Sequence, residues 1–111
     1  MNALRNKVQL IGNLGNDPEV KSLDNGRKLA KFSLATNEVY RNAKGEKVTE
    51  TQWHNVIAWG KTAEIIEQYL SKGREVAIEG KLTSRSYETA SGEKRYITEV
   101  IANELLMLGK N

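Results

Sequence analysis

The 111-residue sequence predicts an all-β domain: a five-stranded barrel with one short helix between the third and fourth strands. Three observations predict it. Five stretches alternate apolar and polar residues with period two, as strands with one buried face do. A single stretch, Thr62 to Gly73, switches to helical spacing. Two of the alternating stretches carry an interior glycine, Gly12 and Gly80, where a small barrel needs a bulge or bend.

The first strand is "NKVQLIGNLG", Asn6 to Gly15, with Val8, Leu10 and Gly12 on one face. "NDPE" then turns the chain, and "LDNG" turns it again through Asn-Gly, a strong hairpin signal. Lys28 to Thr36 forms the second strand, with Ala30, Phe32 and Leu34 facing one way. Tyr40 to Glu50 is read as a polar loop carrying Arg41, Lys44 and Lys47. "TQWHNVIAWGKT", Thr51 to Thr62, supplies the third strand in residues that favour sheet. In the helix, Ile65, Ile66, Tyr69 and Leu70 share a face, Thr62 is the expected N-cap and Lys72-Gly73 the expected end. The fourth strand places Val76, Ile78, Gly80 and Leu82 inward. "ASGEK" turns the chain into the fifth strand, "RYITEVIANELLML". No repeat, linker or low-complexity segment interrupts this order, so one domain over residues 1–111 is expected. The order is that of the OB-fold, a Greek-key barrel that binds oligonucleotides or oligosaccharides.

Composition narrows the function. Hydrophobic residues make up 39% and charged residues 28%, a globular mixture. No apolar run approaches the roughly 20 residues of a membrane span, and "MNALRNKVQL" lacks the shape of a secretion signal. With no cysteine, disulfides and cysteine–zinc sites are excluded, and a reducing cytoplasm is the expected home. A net charge of +3 and a pI near 9.2 are compatible with a polyanion partner without demanding one.

The third strand holds both tryptophans and the only histidine. Period two puts Trp53, Asn55, Ile57 and Trp59 on one face and His54, Val56 and Ala58 on the other. A small barrel has room inside for the smaller set, which turns the tryptophans outward. On the fourth strand the same argument turns Lys81, Arg85 and Tyr87 outward. Rings and cations on neighbouring strands suit single-stranded nucleic acid, whose bases stack on aromatics while basic side chains meet phosphates. A tryptophan is more often buried than a platform; two on one outer face beside cations reverse that preference. Tyr69 is assigned to the core, and His54 to a core or subunit-interface position.

Nothing in the sequence nominates catalysis. "WGKT" before a helix has the end of a phosphate-binding P-loop, but the first glycine's place is held by Asn55. The lone histidine has no cysteine or second histidine with which to share a metal or build a nucleophile. No enzyme, metal or cofactor is expected.

The blocks "NKVQLIGNLGNDPEV", "FSLATNE", "TQWHNVIAWGKTAEIIEQYLSKG", "EVAIEGKLTSRSY" and "RYITEVIANELLMLG" resemble, in order and spacing, the bacterial single-stranded DNA-binding protein (SSB) family. The resemblance spans nearly the whole chain. It implies an OB-fold subunit of a homotetramer that coats unpaired DNA in replication, recombination and repair, in the cytoplasm at the nucleoid. It places the stacking aromatics on Tyr40, Trp53, Trp59 and Tyr87, and phosphate contacts on Lys7, Lys61, Lys72 and Arg85, to which the outer-face reading adds Lys81. Asn55 stands where the family commonly has arginine. The resemblance also puts His54 near the subunit interface and pairs subunits through the first strand. Family members usually continue into a disordered linker and an acidic tip that recruits replication and repair proteins; this sequence stops at "LMLGKN", so that recruitment is in question. Two alternatives stand beside this reading: a dimeric OB-fold accessory of the primosomal replication protein N type, and an OB-fold protein-interaction module.

Overall fold

In a computed structural model, which describes residues 3–109 and only the backbone of Ala3 and Leu4, a single 3-10 turn (Ala3–Asn6) leads into the sheet. The elements are β1 (Val8–Leu14), β2 (Glu19–Ser22), β3 (Lys28–Arg41), β4 (Lys47–Trp59), α1 (Gly60–Tyr69), β5 (Glu75–Glu88) and β6 (Lys94–Met107). The ladder runs β1-β5-β6-β4-β3 and closes through a further β1–β3 pairing at Asn13–Ala35 and Leu14–Leu34. All pairings are antiparallel except β4–β6, where Val56 meets Val100 and Ile57 meets Ile101. The expected closed barrel is there.

β2 is the addition. It pairs with Lys28–Lys31 of β3, and β1 pairs with β3 at Leu34 and Ala35. The two short strands thus occupy successive parts of one barrel position, interrupted by Gly15–Pro18. Counting β2 separately, the helix lies between β4 and β5 instead of the third and fourth strands.

The core holds the inward residues that alternation selected on three strands, Ala30, Phe32 and Leu34 from β3, Val56 and Ala58 from β4, and Val76 and Ile78 from β5, together with Leu14 from β1 and Val100 and Ala102 from β6. The helix plugs the barrel with Ala63, Ile66 and Leu70. The two predicted glycines sit where strands crowd. A Cβ on Gly12 would stand 2.1 Å from the Ala35 carbonyl oxygen, and one on Gly80 1.9 Å from that of Ile101. At Gly80 the β5–β6 register also slips, the bulge that bends the wall.

Five expectations need correction. The helix runs from Gly60, whose positive φ of 60° makes the strand-to-helix corner, to Tyr69 with Leu70 as its C-cap, so Thr62 lies inside it and is not its N-cap, and it stops short of the expected Lys72-Gly73 end. Tyr69 is 53% exposed and not core; the buried face follows Ala63, Ile66 and Leu70. Leu82 is 48% exposed, because past Gly80 the β5–β6 pair leaves the barrel as an arm with no layer over it. The supposed loop from Tyr40 to Glu50 is mostly strand. The β3–β4 ladder continues to Arg41–Lys47, and only Asn42–Glu46 turns, with Asn42 Oδ1 accepting the N–H groups of Lys44 and Glu46.

Candidate nucleic-acid interface

The outer faces of β3, β4, β6 and β5 form one continuous surface, with a shallow open groove of about 330 Å³ across it. Asn16, Ser33, Asn55, Ile57, Arg85 and Glu99 are among its lining residues. Asn55 and Ile57 lie between the two tryptophans on β4, so the rings bracket the groove along the strand.

Trp53 is the more open ring, at 62% exposed. Its support is a gap. A Cβ on Gly15 would fall 2.4 Å from Trp53 Cζ3 and 2.9 Å from Ser33 Oγ, so the indole lies against glycine backbone. That backbone is held firmly: Gly15 N–H donates to the Ser33 carbonyl (2.9 Å), and Asn16 Oδ1 accepts from both Ser33 N–H (2.9 Å) and Ser33 Oγ (2.8 Å). An aromatic ring supported from below and open above is preorganised for stacking.

Trp59 is only partly exposed, and the Arg27 guanidinium sits over its ring, 5.2 Å from the centroid. Tyr87, 46% exposed, shares the outer pleat face of β5 with Arg85 and Lys81. Tyr40 is 45% exposed but does not join the others. The unbroken β3–β4 register sets it opposite Val48, on the pleat face of Phe32 and Leu34 and away from Trp53.

The cations divide as well. Lys61, beside Trp59 at the helix start, and Lys81 are exposed. Lys72 is exposed too, and its backbone N–H donates to Asp17 Oδ1 (2.8 Å), fixing that loop beside the turn that carries Asn16. Lys7 lies outside the groove lining, 3.4 Å from Glu79 on the β1–β5 surface. The Glu79 carboxyl is held below its ordinary range, first by a hydrogen bond from Gln9, with Lys7 adding to the effect. Arg85 is paired with Glu99, whose hydrogen bond and charge hold the guanidinium above its usual pKa. His54 is half-buried on the barrel-facing side of β4, its Nε2 3.0 Å from Thr36 Oγ1.

Sequence reasoning missed Gly15 and Ser33 under Trp53, Arg27 over Trp59, and Glu99 under Arg85. Only Gly15 left a signal, as a glycine just past a strand. The other three depend on which strands become neighbours.

Residues 5–108 match the model of the single-strand binding protein family. The chain belongs to that family. Curated relatives of this single-strand binding family member include single-stranded DNA-binding protein 1 of Chlorobaculum tepidum, 47% identical over 105 residues. The single-stranded DNA-binding protein of Neisseria meningitidis is 46% identical over 104 residues. Each alignment takes in 94% of this chain but 65% and 60% of the two relatives, so the chain spans under two thirds of their length. Among solved structures, a Plasmodium falciparum SSB in complex with ssDNA superposes with a TM-score of 0.87 at 37% identity, covering 94% of this chain and 95% of that one. Among the described residues no group of three or more histidine, cysteine, aspartate or glutamate side chains could hold a metal ion, and no helix is long and apolar enough to cross a membrane.

Proposed function

We propose that this chain is a non-enzymatic coat protein for single-stranded DNA, binding without sequence preference by stacking bases on its outer-face rings and neutralising phosphates with Lys61, Lys72 and Lys81. The observation that carries the reading is Trp53, a supported and open indole at the end of a groove in a chain of the single-strand binding family. Trp59 and Tyr87 extend the path along the same outer surface. Tyr40 contributes from the β3–β4 arm, and Lys7 from the β1–β5 side. The naming of the curated relatives and the ssDNA in the Plasmodium complex support the same partner.

The working unit is a homotetramer folded from one domain per chain, acting on DNA in replication, recombination and repair at the nucleoid in the cytoplasm. Subunits pair through β1, whose Val8–Gly12 stretch is laddered to β5 along one edge and, among the described residues, has no ladder partner on the other. Ile11 and Leu106, 62% and 63% exposed on the neighbouring outer face, supply apolar surface for further packing. His54 acts near a subunit contact. Light scattering should give four 12.5 kDa chains; a dimer would move the reading toward a primosomal N-type accessory.

The deciding experiment is titration of intrinsic tryptophan fluorescence with oligo-dT, set against duplex DNA of equal length. Quenching by oligo-dT alone, weakening as salt rises, is the expected result. No quenching would reassign the rings to a protein-interaction surface and end the coat-protein reading.

A further inference from the structure

Glu99 is the one buried charged residue among the described side chains, at 3% exposed, and it lies in the lining of a surface meant for a polyanion. A carboxylate there opposes phosphate binding and is costly to remove from water unless paired. Its pairing is specific. Arg85 Nε donates to Glu99 Oε1 at 2.9 Å and Arg85 Nη2 to Oε2 at 3.4 Å, a fork that joins β5 to β6 across the outer face. Arg85 is itself 54% exposed and lies above the carboxylate.

Two consequences follow from this geometry. The charges of the pair cancel, so Arg85 brings the groove no net cation. The fork also takes the Nε side of the guanidinium, leaving Nη1 and the flat faces uncommitted to Glu99. Arg85 is therefore held as a planar group, two residues from Tyr87 on the same pleat face.

We infer that Glu99 is a positioning residue that converts Arg85 from a phosphate-neutralising cation into a fixed, charge-compensated platform for bases. This rests on the coat-protein reading and changes the role that the sequence assigned to Arg85. A guanidinium plane stacks on bases much as an aromatic ring does, and that contribution is insensitive to salt where a free lysine's is not.

The test compares salt dependences of oligo-dT affinity for the wild type, Glu99→Gln and the double variant Arg85→Met/Glu99→Gln, with Lys61→Ala as the benchmark for a free cation. Glu99→Gln keeps the volume and frees one positive charge. Affinity should rise at low salt and the log–log salt slope should steepen by about 0.7. The double variant removes both charges, so no buried ion is left unpaired and the fold is retained, as a thermal melt will verify. Its slope should match the wild type while its affinity falls about fivefold or more at every salt concentration. Lys61→Ala should instead flatten the slope by about 0.7. A wild-type slope and affinity in Glu99→Gln would overturn the inference. So would a double variant that binds like the wild type, or one with a flattened slope. Failure of the wild-type protein to bind oligo-dT is a separate result, seen before any variant, and it would sink the coat-protein reading along with this one.

Discussion

The middle of β4, at Trp53, and its end, at Trp59, carry the same residue on the same pleat face, yet the fold treats them differently. At the middle of the strand Trp53 lies on Gly15 and keeps 62% of its surface open. At its end, Trp59 is half sunk into the corner before the helix and carries Arg27 over its ring. What differs is the neighbour that the sheet brings alongside. Gly15 offers no side chain, so an indole settles onto backbone and presents its far side. Arg27 offers a long cationic one, which covers the ring. Period two decides that both rings leave the core; the cross-sheet partner decides whether a ring is a platform or a capped plug.

The largest effects should separate the two tryptophan sites. Trp53→Ala should cost about 1–3 kcal/mol of oligo-dT affinity, the usual range for one lost stacking contact, with little change in melting temperature because the ring is mostly solvated. Trp59→Ala should do the reverse, losing about 2 kcal/mol of stability from half-buried surface and less affinity than Trp53→Ala. Equal affinity losses with equal melting temperatures would erase the distinction. Gly15→Ala comes next. Its methyl meets the edge of a ring that is free to swing and also crowds the Ser33 hydroxyl at 2.9 Å, so the ring and that hydroxyl must both give; the fold should hold while the platform tilts, costing roughly 1 kcal/mol of affinity. Unchanged binding in Gly15→Ala would mean that the seat under Trp53 does not matter.

How much of this was legible in the sequence follows from the same physics. Wherever one strand face is buried, apolar alternation records it, and Val8 to Leu14, Lys28 to Leu34 and Val76 to Gly80 were readable for that reason. Tyr40–Arg41 and Lys47–Glu50 were not, because both faces of the arm meet water and only ladder hydrogen bonds make it a strand. Tyr69 was misplaced because a short helix with an isoleucine pair fits two nearly equivalent apolar stripes. The outward turn of Trp53 and Trp59 was recoverable from period and barrel size alone. Glu99 was not recoverable: in the fifth strand it reads as an ordinary solvent-facing glutamate, and its burial comes with Arg85, fourteen residues away in sequence on the neighbouring strand.

Arg27 gives a smaller effect that bears directly on the capped end. In a Trp53→Phe background Trp59 is the sole tryptophan, so its fluorescence reports that end alone. Oligo-dT should quench it weakly while Arg27 covers the ring, a contact in the range of about 0.5–1 kcal/mol at an exposed site. Adding Arg27→Ala should increase the quenching at saturating oligo-dT. If quenching is strong before Arg27 is removed and unchanged afterward, the guanidinium is no barrier and both tryptophans of β4 are open platforms.

The smallest effect concerns the tie beside Arg27. Lys28 on β3 forms a salt bridge with Glu67 of α1, next to the Trp59 corner. The Glu67 hydrogen bond, followed by its charge, raises the Lys28 pKa above 10.5. A raised lysine pKa means that the contribution is fully present below 10.5 and is lost as pH climbs through the folded value. Neutral pH therefore leaves the tie intact, and a substitution has to probe it. Both side chains are partly solvated, and such pairs contribute little. Glu67→Gln should lower the melting temperature by less than Trp59→Ala does, by the same amount across the neutral range, and the difference should close only above Lys28's folded pKa. Oligo-dT affinity at neutral pH should not change, since Trp53 and its glycine seat lie six residues along β4 from the Trp59 corner. A clear affinity loss in Glu67→Gln would show that the two tryptophan sites are mechanically coupled, and the contrast between them would then describe exposure without describing independent roles.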